Sequence, residues 1–493
     1  MNTTAPLKVI IVGADISTLT LALMLEQAGI DYLLLEPSDS VPVVAGAITL
    51  HPTVLPLMEQ LNLRDDLFFC SQPLEQVHIL DTDMEYISSY DWSDRQTRYG
   101  AWSRFMSRPE YCSMILEKLP ESKIMFNKIV TSVSTMEHDH EKDQDVGGDD
   151  GMNTVGEQAE SILDDNPMEE KGEVCGVTVE CADGSIYSAH LMIGDINSGV
   201  ERKMLYTSEG FQHNQHQQRE SEVRLAPVRE THFHVSGITE TLDPQRIPLL
   251  KEDTTQLRLV LDSKSSLSWW VATLVDNRIA WQVTKRVPLS EKSSRSVDFG
   301  SFHHEQAAAA AIVNQISQTT MNPLGGTMGQ LLNWTPQSQI SCKRWDDRRA
   351  QVNVYSSRVL LLGEACIKSV PTFGQASEET ILDALALSEV LVSLPSTKLD
   401  DIRMAFERYH KERTARRESA IDESRELDQT LNAKGSLRKI YRSIMLNYLP
   451  KYIHDRRNDE KYSYRPQASF LQNVPDYGLV QSNGSRRHSI RIR

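Results

Sequence analysis

The stretch Ile10–Glu36, IIVGADISTLTLALMLEQAGIDYLLLE, constrains the fold of this 493-residue chain more than any other. An apolar run leads to Gly13, then to a helix-like segment, then to a second apolar run ending on Glu36. Strands without a polar face are buried on both sides, and two of them joined by a helix make a parallel βαβ unit. A G-x-G-x-x-G turn between such a strand and helix holds a dinucleotide. Its first glycine turns the chain, the second admits the pyrophosphate and the third lets helix pack on sheet. Here the three positions are Gly13, Asp15 and Thr18. Glu36 lies about 20 residues on, the placement for an adenosine ribose with a free 2′-hydroxyl.

The rest of the chain has ordinary globular composition, 40% hydrophobic, and its length predicts two or more domains. No apolar run reaches the roughly 18 residues of a membrane span, and the N-terminus enters the first strand with no room for a signal peptide. The expected location is therefore cytoplasmic. Six scattered cysteines without C-x-x-C or zinc spacing read as isolated thiols, not as a disulfide framework or metal site. The net charge of -16 is concentrated. Glu137 to Glu173 holds 14 acidic residues against Lys142 and Lys171. That segment reads as a solvated, disordered loop, although Glu137, His138, Asp139 and His140 offer metal-ligand chemistry.

Coarse patterning predicts an α/β, Rossmann-like nucleotide-binding domain interleaved with an α+β antiparallel-sheet domain, plus a helical C-terminal region. The expected division is 1–136 for the first part of the nucleotide domain, 137–173 for the acidic insertion and 174–205 for the second part. The antiparallel domain takes 206–344. Residues 345–434 hold the third part and a long helix, and 435–493 an amphipathic helix and basic tail. Asp183-Gly184 between alternating runs marks a β hairpin, placing the insertion near a hairpin tip. Leu437, Ile440, Tyr441, Ile444, Tyr448 and Leu449 share one face of a basic helix. Peripheral membrane contact through 437–453 and packing on the protein's own surface both remain open.

Three separated stretches resemble the FAD-dependent aromatic-hydroxylase type of flavoprotein monooxygenase, most closely its fungal branch that includes an indole-diterpene epoxidase. They are Gly13 with Glu36, then Arg108 in SRPEYCSMIL with IGDINSG from Ile193, and finally GEACIKSVPTFGQAS from Gly363 to Ser377. The resemblance covers nearly the whole chain. It implies FAD contacts by Gly13, Glu36, Thr49, Arg108, Asp195, Glu364, Pro371, Gly374 and Ser377. It also implies that NAD(P)H reduces the flavin, which then activates oxygen to hydroxylate or epoxidise a small organic substrate. The cofactor carries the hard chemistry, and the protein positions it and excludes water. No catalytic side chain is singled out. Trp269, Trp270 and Trp281 on the antiparallel strands either line a flat apolar substrate cavity or pack in the core.

The departures from the family fall on the cofactor motifs. Asp15 and Thr18 replace two glycines, Ile196 replaces the glycine of a D-G pair, and Glu364, Ile367, Phe373 and Ala376 replace Asp, His, Gly and Gly. Glu364 keeps a carboxylate, whereas Phe373 puts a ring where backbone normally approaches the ligand. A carboxylate about 4 Å from a phosphate charge, at an effective dielectric near 20, repels it by on the order of 4 kcal/mol. That converts nanomolar into roughly micromolar affinity. Asp15 must therefore turn away, be protonated, or itself cap the free amides of the helix start.

Two functions follow. One is an FAD-dependent monooxygenase; the other is a degenerate relative with weak or no FAD binding that serves as a binding or interaction protein. The tail places Arg486 and Arg487 before Ser489 at a spacing basophilic kinases accept, or is simply a solvated basic tail. Interleaved acids and bases in ERYHKERTARRESAIDESRELD argue against a nucleic-acid partner.

Overall fold

The computed structural model describes residues 6–42, 44–135, 176–195, 230–262, 267–288, 310–317, 322–346, 355–363, 375–431 and 451–483. Its centre is a six-stranded sheet. Within it β1 (Lys8–Val12) pairs in parallel with β2 (Asp31–Leu35) and β12 (Leu191–Asp195). The parallel order extends from β2 to β8 (Ile124–Met125) and from β12 to β19 (Val359–Leu362), and β18 (Tyr355–Ser356) closes one edge antiparallel. The apolar run Val9–Val12 is buried, as a two-sided parallel strand requires. The first helix, Ile16–Ala28, ends at Gly29 with φ 70°, and Ile30 N–H reaches back to the Leu25 carbonyl at 3.0 Å. This left-handed cap is a conformation that glycine adopts without strain.

The expected hairpin is present. A small antiparallel sheet holds β9 (Val130–Thr135), β10 (Val177–Cys181) and β11 (Ile186–Ala189), with Gly184 at φ 84° in the turn. The acidic insertion joins β9 to β10, antiparallel neighbours between which added length costs little closure entropy. The insertion lies outside the described residues, with its Glu137–His140 cluster. Among the described residues no group of three or more His, Cys, Asp or Glu could hold a metal, and Cys70, Cys112, Cys181 and Cys342 are in no disulfide.

A seven-stranded sheet runs in the order β17 (Ile340–Asp346), β13 (Glu230–Ile238), β16 (Ile279–Pro288), β15 (Leu267–Thr273), β14 (Leu257–Leu261), β5 (Gln76–Asp81), β6 (Tyr86–Asp91). Two strands from the first 100 residues thus complete a sheet built mainly from the middle of the chain. Its period-two alternation divides the tryptophans. Trp269 and Trp281 are buried with Val235, Val271 and Val283 under the helical residues 310–317 and the helix Met328–Asn333. Trp270 points to the opposite face and lines a cleft. A fourth sheet, β3 (Ala47–Leu50), β7 (Arg104–Ser107) and β4 (Ser71–Pro73), stands between the two large ones.

The helix Gln375–Val392 packs on the first helix, and the long helix Leu399–Leu431 packs on it in turn. Asp383, fully buried, receives Arg413 Nε at 2.5 Å and Arg417 Nη2 at 3.0 Å. The helix Lys451–Tyr462 and the chain behind it return to the first part of the molecule, where Arg98 pairs with Asp459 at 2.7 Å and Gln60 brackets Ala468 by two hydrogen bonds. Residues 437–450 and the tail with Ser489 lie outside the described residues. No described helix is long and apolar enough to cross a membrane.

Gly237 on β13 sits directly across from Trp281, and a Cβ there would lie 2.5 Å from the Trp281 ring, which is fully buried and donates from Nε1 to Thr335 Oγ1 at 3.0 Å. Gly237→Ala must therefore displace that ring. It is expected to cost about 1–3 kcal/mol, read as a lowered urea midpoint; an unchanged midpoint would show that the ring has room to move.

Candidate functional site

Ligands of open parallel sheets bind outside the carboxyl ends of the strands. Gly13, Glu36 and Asp195 stand there, at the ends of β1, β2 and β12. Gly13 has φ 91°, a conformation side chains avoid, and its N–H donates to the Leu35 carbonyl at 2.8 Å. Glu36 is 2% exposed and accepts from Ala14 N–H at 2.7 Å and Ser38 N–H at 3.0 Å. Burial raises its carboxyl above the usual range, and those two amides oppose the rise. A carboxylate offers about four lone-pair positions, so the donor and acceptor chemistry leaves acceptors for two ribose hydroxyls.

Asp15 is the N-cap of the first helix. Its Oδ1 accepts the Ile16 amide at 2.8 Å, and its own amide donates to Thr18 Oγ1 at 2.9 Å. The two residues that break the glycine pattern therefore form a reciprocal capping box. Together with the Ala14–Glu36 bond, three successive amides at this helix start are satisfied by the chain's own side chains. Arg108 spans both Asp15 oxygens with Nη2 at 2.5 Å, each side chain being 11% exposed. Burial opposes ionisation of Asp15, but Arg108, Lys343 and the Ile16 amide outweigh it and hold the carboxyl well below the usual carboxylate range. Of the three outcomes considered for Asp15, capping is realised and protonation is not.

Arg108 opens the helix Arg108–Leu116, capped by Ser107, whose hydroxyl accepts Glu110 N–H at 3.2 Å. Its own amide donates to the Gly46 carbonyl at 2.9 Å, which ties it to the loop before β3. Arg108, Thr49 and Ser377 line one cleft between β3, β7 and the seven-stranded sheet. Ser377, the last residue of the late motif, lies in the first turn of the helix Gln375–Val392. Glu364, Pro371 and Gly374, with Ile367 and Phe373, lie outside the described residues, as does the side chain of Asp195.

The sheet supplies cleft residues that sequence reading passed over: His234, Ser236, Gln282 and Lys343, beside Phe105, Leu257 and Trp270. His234 Nδ1 lies 2.9 Å from Thr284 Oγ1 and 3.2 Å from Gln282 Nε2. Burial first, then His232 and Lys343, depress its pKa to about 3, so the imidazole is neutral at physiological pH. The alternation in THFHVSG could have placed His234 and Ser236 on one face. Nothing local marks Lys343.

Behind the cleft, Glu378 accepts His51 N–H at 2.7 Å in a buried polar cluster. Arg95 lies between Trp92 and Tyr462, at 3.9 and 4.4 Å from their ring centres, with Nη2 on the Tyr462 hydroxyl at 2.7 Å.

No protein-family model matches the chain. It is 25% identical over 393 residues to the FAD-dependent monooxygenase paxM of Penicillium paxilli, covering 78% of this chain and 70% of that protein. A shorter match, 33% identical over 159 residues, spans 30% of this chain and 34% of the FAD-dependent monooxygenase ctvC of Aspergillus terreus. The structure of Klebsiella pneumoniae HpxO, complexed with FAD and uric acid, superposes with a TM-score of 0.64 at 18% identity, over 93% of this chain and 97% of that one. The fold is that of the FAD-binding hydroxylases. Over most of its length the chain is similar to fungal FAD-dependent monooxygenases.

Burial pushes the Glu378 carboxyl up to about 7, against the pull of Lys461, the His51 amide and Arg95. A carboxyl raised in the folded state adds stability below its unfolded pKa of 4.5 that is lost as pH climbs through about 7. Glu378→Gln should therefore gain on the wild type between pH 4.5 and 8 by on the order of 3 kcal/mol. Urea unfolding at the two pH values checks this, and a difference independent of pH contradicts it.

Proposed function

We propose that the chain is an FAD-dependent monooxygenase that hydroxylates or epoxidises a small organic substrate with NAD(P)H and oxygen. The observation that carries the reading is the convergence of Gly13, Glu36 and Asp195 at the carboxyl edge of the parallel sheet, beside a cleft reached by Thr49, Arg108 and Ser377. The homology to FAD-dependent monooxygenases over most of the chain supports it. The degenerate binding module is not favoured. The division into a three-part FAD domain and an antiparallel substrate domain is part of the same proposal, with β5 and β6 contributed to the second sheet from the first segment.

Tested against the residues present, the group fits at two of three points. Glu36 suits the adenosine ribose, and the cleft suits a flat ring system with a substrate against it. The diphosphate position is where Asp15 and Arg108 meet. Glu364, Pro371 and Gly374 complete the set by resemblance. When bound, the flavin supplies hydride acceptance and oxygen activation. The chain's own share is positional. Trp270, Phe105 and Leu257 give the cleft an apolar wall that excludes water, while Ser236, Gln282 and neutral His234 offer a polar edge that fixes a substrate's orientation. Lys343 adds positive charge to the same cleft. This mixture suits a largely apolar molecule carrying one or two hydroxyl or carbonyl groups.

Purified protein should turn yellow on titration with FAD and oxidise NADPH or NADH faster when an apolar, oxygenated substrate is added. Failure to bind FAD at millimolar concentration would sink the proposal. Glu36→Ala should weaken FAD at least about tenfold, the value of one lost hydrogen bond to a charged acceptor, and weaken adenosine alike in calorimetric titrations. Unchanged affinity for both would remove Glu36 from the ribose site.

A further inference from the structure

We infer that Asp15 is a tethered anion that competes with the FAD diphosphate for Arg108, so that cofactor occupancy is set by exchange of one guanidinium between two partners. The inference rests on the FAD reading above and concerns how that site is regulated.

The geometry supports exchange over simple exclusion. Asp15 and Arg108 stand at the starts of two different helices, and their contact links the helix start after β1 to the cleft that Arg108 lines. A helix start with free amides attracts an anion. Here the amides of Ala14, Asp15 and Ile16 already donate to Glu36, Thr18 and Asp15. An incoming diphosphate finds those donors engaged, and the nearest cation paired. It does not find them missing. Glu36 holds its place, Arg108 is anchored by its own backbone to Gly46, and Glu110 on the same helix forms a close ion pair with Arg278 that fixes the helix independently of Asp15. If Asp15 swings from Arg108, the guanidinium is released toward a diphosphate at the same edge of the sheet. The chain would thus bind FAD weakly and fill only when free FAD is high, while binding of adenosine, which carries no phosphate, is indifferent to the pair.

The test uses the full chain and titrates FAD, ADP and adenosine by calorimetry. Asp15→Asn keeps an acceptor for the Ile16 amide and removes the charge; Asp15→Ser is the second variant, retaining a capping oxygen should the first fold poorly. Either should bind FAD and ADP at least about tenfold more tightly than wild type, with adenosine changed by less than about twofold. In an Arg108→Gln background the gain from Asp15→Asn should shrink to below about threefold, because the released partner is gone. Wild type that binds FAD while Asp15→Asn binds it no better overturns the competition and leaves the FAD reading standing. A gain undiminished in the Arg108→Gln background also overturns it, since Asp15 would then act by direct repulsion alone. No FAD binding by any variant at millimolar concentration removes the FAD reading, and the competition with it.

Discussion

The pairing of Asp15 with Arg108 is the interaction on which the rest of the site depends. Two helices begin near the carboxyl edge of the parallel sheet, and each directs positive backbone dipole toward that point. Arg108 adds a full charge and Lys343 contributes from the neighbouring sheet. Such a place requires an anion. Removing one member of a buried pair typically costs about 3–5 kcal/mol because the other is left uncompensated. The sequence has met that requirement internally, with the carboxylate that stands where glycine would admit a ligand's phosphate.

The surrounding architecture holds this point from several sides. The helix carrying Ser377 and Glu378 is fixed to the long helix by Asp383, which takes two arginines at once. The returning C-terminal segment clamps Arg95 and Arg98 through Tyr462 and Asp459. The Asp383 anchor is charged and buried, so it fixes orientation more than it adds net stability. The period-two alternation of one sheet does two tasks. One face carries Trp269 and Trp281 into the core, and the other turns Trp270, Gln282 and His234 to the cleft.

Much of this was legible in the chain. The βαβ unit, the Asp183-Gly184 hairpin, the antiparallel middle region and the return to a buried strand at Val359 all follow from local periodicity, which is a short-range signal. Gly13 and Glu36 follow from the turn and its spacing, whereas Thr49, Arg108 and Ser377 come only from the family resemblance; the three line one cleft. What escaped was long-range. Nothing local in QVHILD tells that β5 pairs in parallel with β14, some 180 residues away. Lys343, Glu378 and His51 carry no motif, and their importance arises from the strand or helix packed against them. Of the three tryptophans, Trp269 and Trp281 pack in the core and Trp270 lines the cleft: their positions alternate between faces, and only the sheet's surroundings decide which face is core.

Asp15 and Thr18 acquire a different meaning when seen together. Substitutions accumulated without constraint would leave donors unsatisfied at a buried helix start, each costing about 1–3 kcal/mol. Instead the Thr18 hydroxyl accepts the Asp15 amide, the Asp15 carboxylate accepts the Ile16 amide, and Arg108 neutralises the charge. A glycine at either position would dismantle the box, so the two departures are one structural feature. That feature stabilises the ligand-free helix start, and it does so with the groups a diphosphate would use. Stability of the empty fold and affinity for the cofactor are therefore opposed at this one turn. On the proposed reading, Glu36 and Arg108 remain available to the cofactor, so the opposition weakens the site and does not remove it.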